Sequence, residues 1–325
     1  MRQAGRYMAE YRRLREKYGL LQMFKTPEIA AEVTLQPVKA LDVDAAIIFA
    51  DILLPLEGMG ITIEFAEGEG PVIHNPVRTR KDAESLRAAQ PEEDLGYVME
   101  SLALVSAELA DEVALIGFAG APFTLASYMI EGGSSRNYLL TKKIMYEDRE
   151  TWDILMDKLS RTLTAYVLAQ VRSGAQVIQI FDSWVGCLSP ADYMEYVLPH
   201  VAGIFGALKA RGIPSIHFGT GTADLLPLMR AAGGDIIGVD WRTFLDDAWA
   251  RVGTAGAGIQ GNLDPVILMA PWPLVKSRAK DILDRAASRP GHIFNLGHGI
   301  LPGTPVDIVR SLAHFVHEYS SVQGK

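Results

Sequence analysis

One cysteine, Cys187, stands alone in a chain of 325 residues. An internal disulfide is therefore excluded, and a reducing compartment is expected. No apolar run approaches the ~18 residues that a membrane span needs. The opening residues hold no apolar stretch of the kind a secretory signal carries. Low-complexity tracts and repeats of solenoid length are also missing. Positive charge is in deficit, with 31 Lys and Arg against 39 Asp and Glu and a net charge of -8. That balance argues against nucleic acid and against an anionic membrane surface as partners. A soluble cytoplasmic protein is the expectation. None of the eleven lysines falls within a strand-like run, so a Schiff-base mechanism has no nucleophile. Zinc chemistry that relies on paired thiolates has only Cys187 to draw on, and no metal is expected.

Apolar material is plentiful, at 49% of residues against 22% charged, enough for a sizeable core. It is arranged in short continuous runs: 45–51, 113–119, 177–183, 214–219, 235–240, 257–262 and 292–298. Continuous rather than alternating apolar character marks a strand buried on both faces. Between the runs lie amphipathic helical stretches, notably 152–173, 190–211, 274–288 and 305–319, and at the start 7–18 and a helix opened by Pro27. Strict alternation of strand and helix means a parallel sheet. The pattern predicts one α/β domain over residues 1–325, a (β/α)8 TIM barrel whose polar strand ends form the catalytic face. An open doubly wound sheet would need a switch point that the sequence does not mark. Seven strands are legible where a closed barrel needs eight. The first strand is expected to be missing ahead of the Arg2–Arg6 loop. A Gly-rich insertion at 60–73 reads as an antiparallel hairpin rimming the mouth.

Candidate chemistry sits at the strand ends. Arg2, Gln3, Ala4, Gly5 and Arg6 form a Gly-hinged loop with two guanidiniums, which match carboxylates bidentately and stay charged. Asp51 closes an apolar strand, where an ionised carboxylate is costly unless it meets a cation or N–H donors. Asp182-Ser183 and Asp240-Trp241 share that setting, and at most some of them are catalytic. Tyr128 follows the small-residue turn at 119–122. His298 lies between Gly297 and Gly299 after the last strand, better placed than the other six histidines. The stretch Gly256-Ala257-Gly258-Ile259-Gln260-Gly261 matches a dinucleotide fingerprint literally, but its glycines run into a strand rather than out of one.

Taken together, Arg2 to Tyr7, Ile48 to Leu53, Gly117 to Gly133, Phe181 to Trp184 and Asn295 to Gly299 make the chain resemble the uroporphyrinogen decarboxylase family over essentially its whole length. The resemblance implies a barrel, a homodimer, a cytosolic place in haem biosynthesis, uroporphyrinogen as substrate, and no metal or organic cofactor. It matches Arg2 through Arg6 to the carboxylate-binding loop and Asp51 to the aspartate that contacts the pyrrole N–H groups. Tyr128, Ser183 and His298 fall on further substrate-contacting positions. Asp51, Arg2 and His298 are the catalytic candidates, and the proton donor stays open between Arg2, His298 and a substrate carboxyl group. A zinc- and corrinoid-linked methyltransferase of the same superfamily and a tetrapyrrole-binding protein without catalysis are the competing readings.

Overall fold

The computed structural model describes residues 3, 5, 7–66, 70–110, 112–253 and 256–323. Nine strands occur among them: β1 (Ala45–Ile47), β2 (Ile63–Ala66), β3 (Gly70–Ile73), β4 (Ala114–Gly120), β5 (Val177–Asp182), β6 (Ser215–Gly219), β7 (Ile236–Gly238), β8 (Gly258–Leu263) and β9 (His292–Leu296). Seven of them build one parallel sheet in the order β1-β4-β5-β6-β7-β8-β9. Spatial order follows chain order throughout, with no reversal, so the doubly wound alternative is excluded. The sheet curls as the wall of a (β/α)8-type barrel, wrapped by helices. An eighth strand is not among the described residues, and β1 and β9 are the sheet's two edges.

All seven expected sheet strands are present, and so is the hairpin, with β2 antiparallel to β3. Boundaries shift. β1 ends at Ile47, so Asp51 lies in the loop beyond it rather than on the strand. The stretch expected as one helix over 190–211 is two, Pro190–Tyr196 and Leu198–Lys209. Pro199 explains the break, since its ring cannot donate to the carbonyl one turn back. A six-residue helix, Leu20–Lys25, was not foreseen because so short a segment shows no periodicity. The dinucleotide-like glycines run into β8 from the Leu245–Val252 helix, the reverse of a nucleotide fold.

Apolar burial falls into two clusters. One joins β4, β5 and the helices outside them around Trp152, Tyr166 and Phe123. The other ties Tyr7, Met8 and Tyr11 to Ile237, Ile259 and Phe315. The opening residues are thus packed beside the last strands of the sheet, although some 250 residues separate them. No helix among the described residues is long and apolar enough to cross a membrane.

Candidate active site

Directly paired residues of a parallel ladder share a face, and so do alternate residues of one strand. Phe181 of β5 pairs with Phe218 of β6, and Phe118 of β4 pairs with Gln179, two residues before Phe181. The three rings therefore point into the barrel together. Phe118 and Phe181 meet edge to face with centroids 5.6 Å apart, and Phe181 and Phe218 do so at 5.9 Å. Such pairs favour this geometry because the positive ring edge meets the negative face. Phe118 is further held by the buried Gln170, whose amide donates to its carbonyl and accepts from its N–H, both at 2.8 Å.

Facing this aromatic floor is a wall made by the first helices. Tyr11 lies edge-on to Phe49 at 5.9 Å, and Phe49 packs on Phe24 at 4.8 Å. Phe24 also touches Phe65 of the hairpin, which places the insertion beside this wall. Between floor and wall is a pocket of about 1110 Å³, counting its open mouth.

Four expected residues with polar side chains line this pocket: Gln3, Asp51, Ser183 and His298, along with Gly5. Each is set by its local chain. Phe49, two residues before Asp51, donates its N–H to Thr34 Oγ1 at 2.9 Å, pinning the loop to the Pro27–Leu41 helix. One oxygen of Asp51 then accepts the Leu53 N–H at 2.9 Å, which orients the carboxylate. Ser183 follows β5 directly, and its carbonyl accepts the Thr220 hydroxyl. His298 sits beyond β9 with its ring edge-on to Trp241 at 6.5 Å. Gly297 is required for that approach, because a Cβ there would lie 2.5 Å from the Trp241 nitrogen.

Gln3 also bonds to the sheet. Its amide donates to the Ala45 carbonyl at 2.7 Å and accepts the Ile47 N–H at 3.0 Å. Both polar ends of the side chain are thus spent on the edge of β1. Tyr128, on the Pro122–Glu131 helix, is not among the lining residues; it stacks on Trp184 with centroids 3.9 Å apart, next to Ser183. Arg2, Ala4 and Arg6 lie outside the described residues. Among the described lining residues there is no Lys or Arg.

The other two strand-end aspartates are separated from the pocket by geometry. Asp182 pairs across the ladder with Gly219 and points the opposite way from Phe181, toward the helices. It is fully buried, accepts from the Thr124 hydroxyl at 2.9 Å, and burial pushes its carboxyl up to about 7. Asp240 accepts the N–H groups of Gly221 at 2.7 Å and Arg242 at 3.0 Å, and it is paired with the Arg242 guanidinium. It ties two strand ends together. His217 of β6 likewise faces the helices; burial lowers its ring to about 4, with the Met229 carbonyl near Nδ1.

Sequence reasoning expected an aromatic-lined mouth for such a substrate but did not name its residues, which are Tyr11, Phe24, Phe49, Phe118, Phe181 and Phe218. The available signal was one phenylalanine near the end of each of four strand-like runs. Burial also raises the Cys187 thiol to about 11, which removes it from nucleophilic roles. Among the described residues no three His, Cys, Asp or Glu side chains gather as a metal site would require.

The arrangement is an apolar, aromatic slot with an oriented carboxylate and an imidazole at the mouth. The family model described as "Uroporphyrinogen decarboxylase (URO-D)" matches residues 1–319. The chain is 57% identical to the uroporphyrinogen decarboxylase of Roseiflexus sp. (strain RS-1), covering 99% of this chain and 93% of that one. It is 58% identical to that of Sorangium cellulosum (strain So ce56), with 100% and 93% covered. Among solved structures, a methyltransferase from Methanosarcina mazei superposes with a TM-score of 0.77 at 21% identity, covering 91% of this chain and 86% of that one. At that identity the likeness bears on the fold alone.

Proposed function

The chain belongs to the uroporphyrinogen decarboxylase family, and we propose that its aromatic slot binds uroporphyrinogen III and removes the four acetate carboxyls as CO₂, giving coproporphyrinogen III. The single observation that supports this reading is that Asp51 lines the slot, while Asp182 accepts from Thr124 and Asp240 from Gly221 and Arg242.

The chemistry asks for such a group. Loss of CO₂ from an acetate arm needs an electron sink on the attached pyrrole. Protonating the adjacent ring carbon supplies it and leaves positive charge on the ring nitrogen. The C–C bond to the carboxylate then breaks, and its electron pair neutralises the ring cation and leaves an exocyclic methylene; a proton adds to that carbon to give methyl while the ring carbon gives back its added proton, so one proton is consumed per CO₂. Asp51 stabilises the developing cation, and its orientation by the Leu53 N–H means little reorganisation is needed during reaction. The phenylalanine floor supports the macrocycle and excludes water, which strengthens that electrostatic contact. Arg2 and Arg6 hold peripheral carboxylates bidentately. Ser183 and His298 contact the substrate from the far rim, and Arg2, His298 or a substrate carboxyl delivers the proton.

In this reading the enzyme works as a homodimer in the cytoplasm, without metal or organic cofactor. The acidic balance and the single cysteine support the compartment. An anaerobic assay of uroporphyrinogen III tests the function directly. Release of four CO₂ per macrocycle is expected, and a purified folded protein that releases none overturns the reading.

A further inference from the structure

We infer that Thr124 and Asp182 are positioning residues for the rim of the slot, acting through a buried hydrogen-bond relay on Ser183 and on the stacked Trp184–Tyr128 pair. The inference rests on the slot being the uroporphyrinogen site, as proposed above.

The relay has three members. The Trp184 N–H donates to Thr124 Oγ1 at 3.3 Å, and the same hydroxyl donates onward to Asp182 Oδ1 at 2.9 Å. One hydroxyl thus uses its lone pair toward the loop and its proton toward the carboxyl. Thr124 and Asp182 are both at 0% exposure, so the bond between them does not compete with solvent and is stronger than it would be at the surface. Thr124 belongs to the first turn of the Pro122–Glu131 helix, and Asp182 ends β5. The relay therefore clamps the loop after β5 onto the helix after β4.

That loop carries Ser183 at the slot and Trp184 beside it. Ser183 lines the slot, and the Trp184 ring lies over Tyr128 at 3.9 Å and packs at a tilt against Tyr138 at 5.3 Å. Ser183 is gripped from its other side by the Thr220 hydroxyl on its carbonyl. Gly186, just beyond, has room for no side chain, because a Cβ would lie 2.1 Å from the Thr220 carbonyl. With the loop held at three points, the plane of Trp184 and the hydroxyl of Ser183 are set before substrate arrives. Preorganisation of this kind acts on binding more than on the chemical step.

A carboxyl is an expensive way to hold a loop in an apolar setting, which is why a purely packing role explains it poorly. Asp182 Oδ2 and the nearby Tyr193 hydroxyl are buried without a hydrogen-bond partner among the described residues. Such groups cost stability, and what Asp182 provides in return is the acceptor that orients Thr124.

Threonine variants separate positioning from packing, with anaerobic turnover of uroporphyrinogen III as the readout. Thr124→Val keeps the shape and removes both bonds; Thr124→Ser keeps the hydroxyl and removes a methyl. Positioning predicts a KM raised tenfold or more in Thr124→Val with kcat within threefold, and near-wild-type constants in Thr124→Ser. Packing alone predicts the opposite order, with Ser the worse, and that result overturns the inference. Should Thr124→Val fail to fold, Thr124→Ala decides: a wild-type KM in a folded Ala variant also overturns it. Wild-type protein that turns over no uroporphyrinogen counts against the function proposed above instead, so the two failures are distinguishable.

Discussion

The Gln3 side chain and the Ala45 carbonyl are joined by a 2.7 Å hydrogen bond, and the Ile47 N–H returns a second bond of 3.0 Å to the same amide. One amide thus makes the two contacts that a neighbouring parallel strand would make with the outer edge of β1. Gln3, which lines the slot, is thereby anchored to the sheet.

Gln3→Met keeps the length of the side chain and removes both bonds. A neutral hydrogen bond contributes ~0.5–1.5 kcal/mol net, so a loss of about 1–3 kcal/mol is expected in urea unfolding. KM should rise, because Arg2 adjoins Gln3 in the chain and Arg6 follows three residues on.

Asp51→Asn retains size and the acceptor for Leu53, but loses the charge proposed to face the ring nitrogens. Removing one oriented electrostatic group typically costs ~10²–10³ in turnover. Steady-state kinetics should show that fall in kcat with KM changed less than fivefold. A near-wild-type kcat would sink the cation role.

Arg6→Ala should act on binding instead. Loss of a bidentate contact raises KM while kcat is largely kept, the signature of uniform binding removed. An equal fall of kcat and kcat/KM would place Arg6 in the chemistry.

Two buried groups give stability opposing slopes with pH. Burial raises Asp182 from 3.8 to about 7, so its contribution is full below pH 3.8 and is lost as pH rises to about 7. Burial lowers His217 from 6.5 to about 4, so its contribution is present above 6.5 and lost as pH falls to about 4. Between about pH 4 and 6.5 the two partly cancel. Thermal melts across that window should show stability rising with pH in Asp182→Asn and falling with pH in His217→Gln. Parallel profiles for the two variants would refute the assignment.

Much of this was written in the chain. Each sheet strand is a continuous apolar run, and chain order alone implied a parallel sheet, because a sheet covered by helices on its outer face and filled inside has no polar side. His298 between glycines and Asp51 after an apolar run were legible from type and position. Helix ends were less so: the break at Val197 depends on Pro199, and the Leu20–Lys25 helix is held by packing of Met23 and Phe24 rather than by its own periodicity.

Asp51 and Asp182 read alike in sequence, each a carboxylate at the close of an apolar run. Alternation along β5 places Phe181 and Asp182 on opposite faces, and that much follows from the order of residues. Which face is the interior does not, because both faces of a buried parallel strand are apolar and their order along the chain is silent about curl. Pairing of Phe181 with Phe218 turns the phenylalanines inward and Asp182 toward Thr124. The residue types were thus set by the chain, and their division into slot and relay by the direction in which the sheet curves.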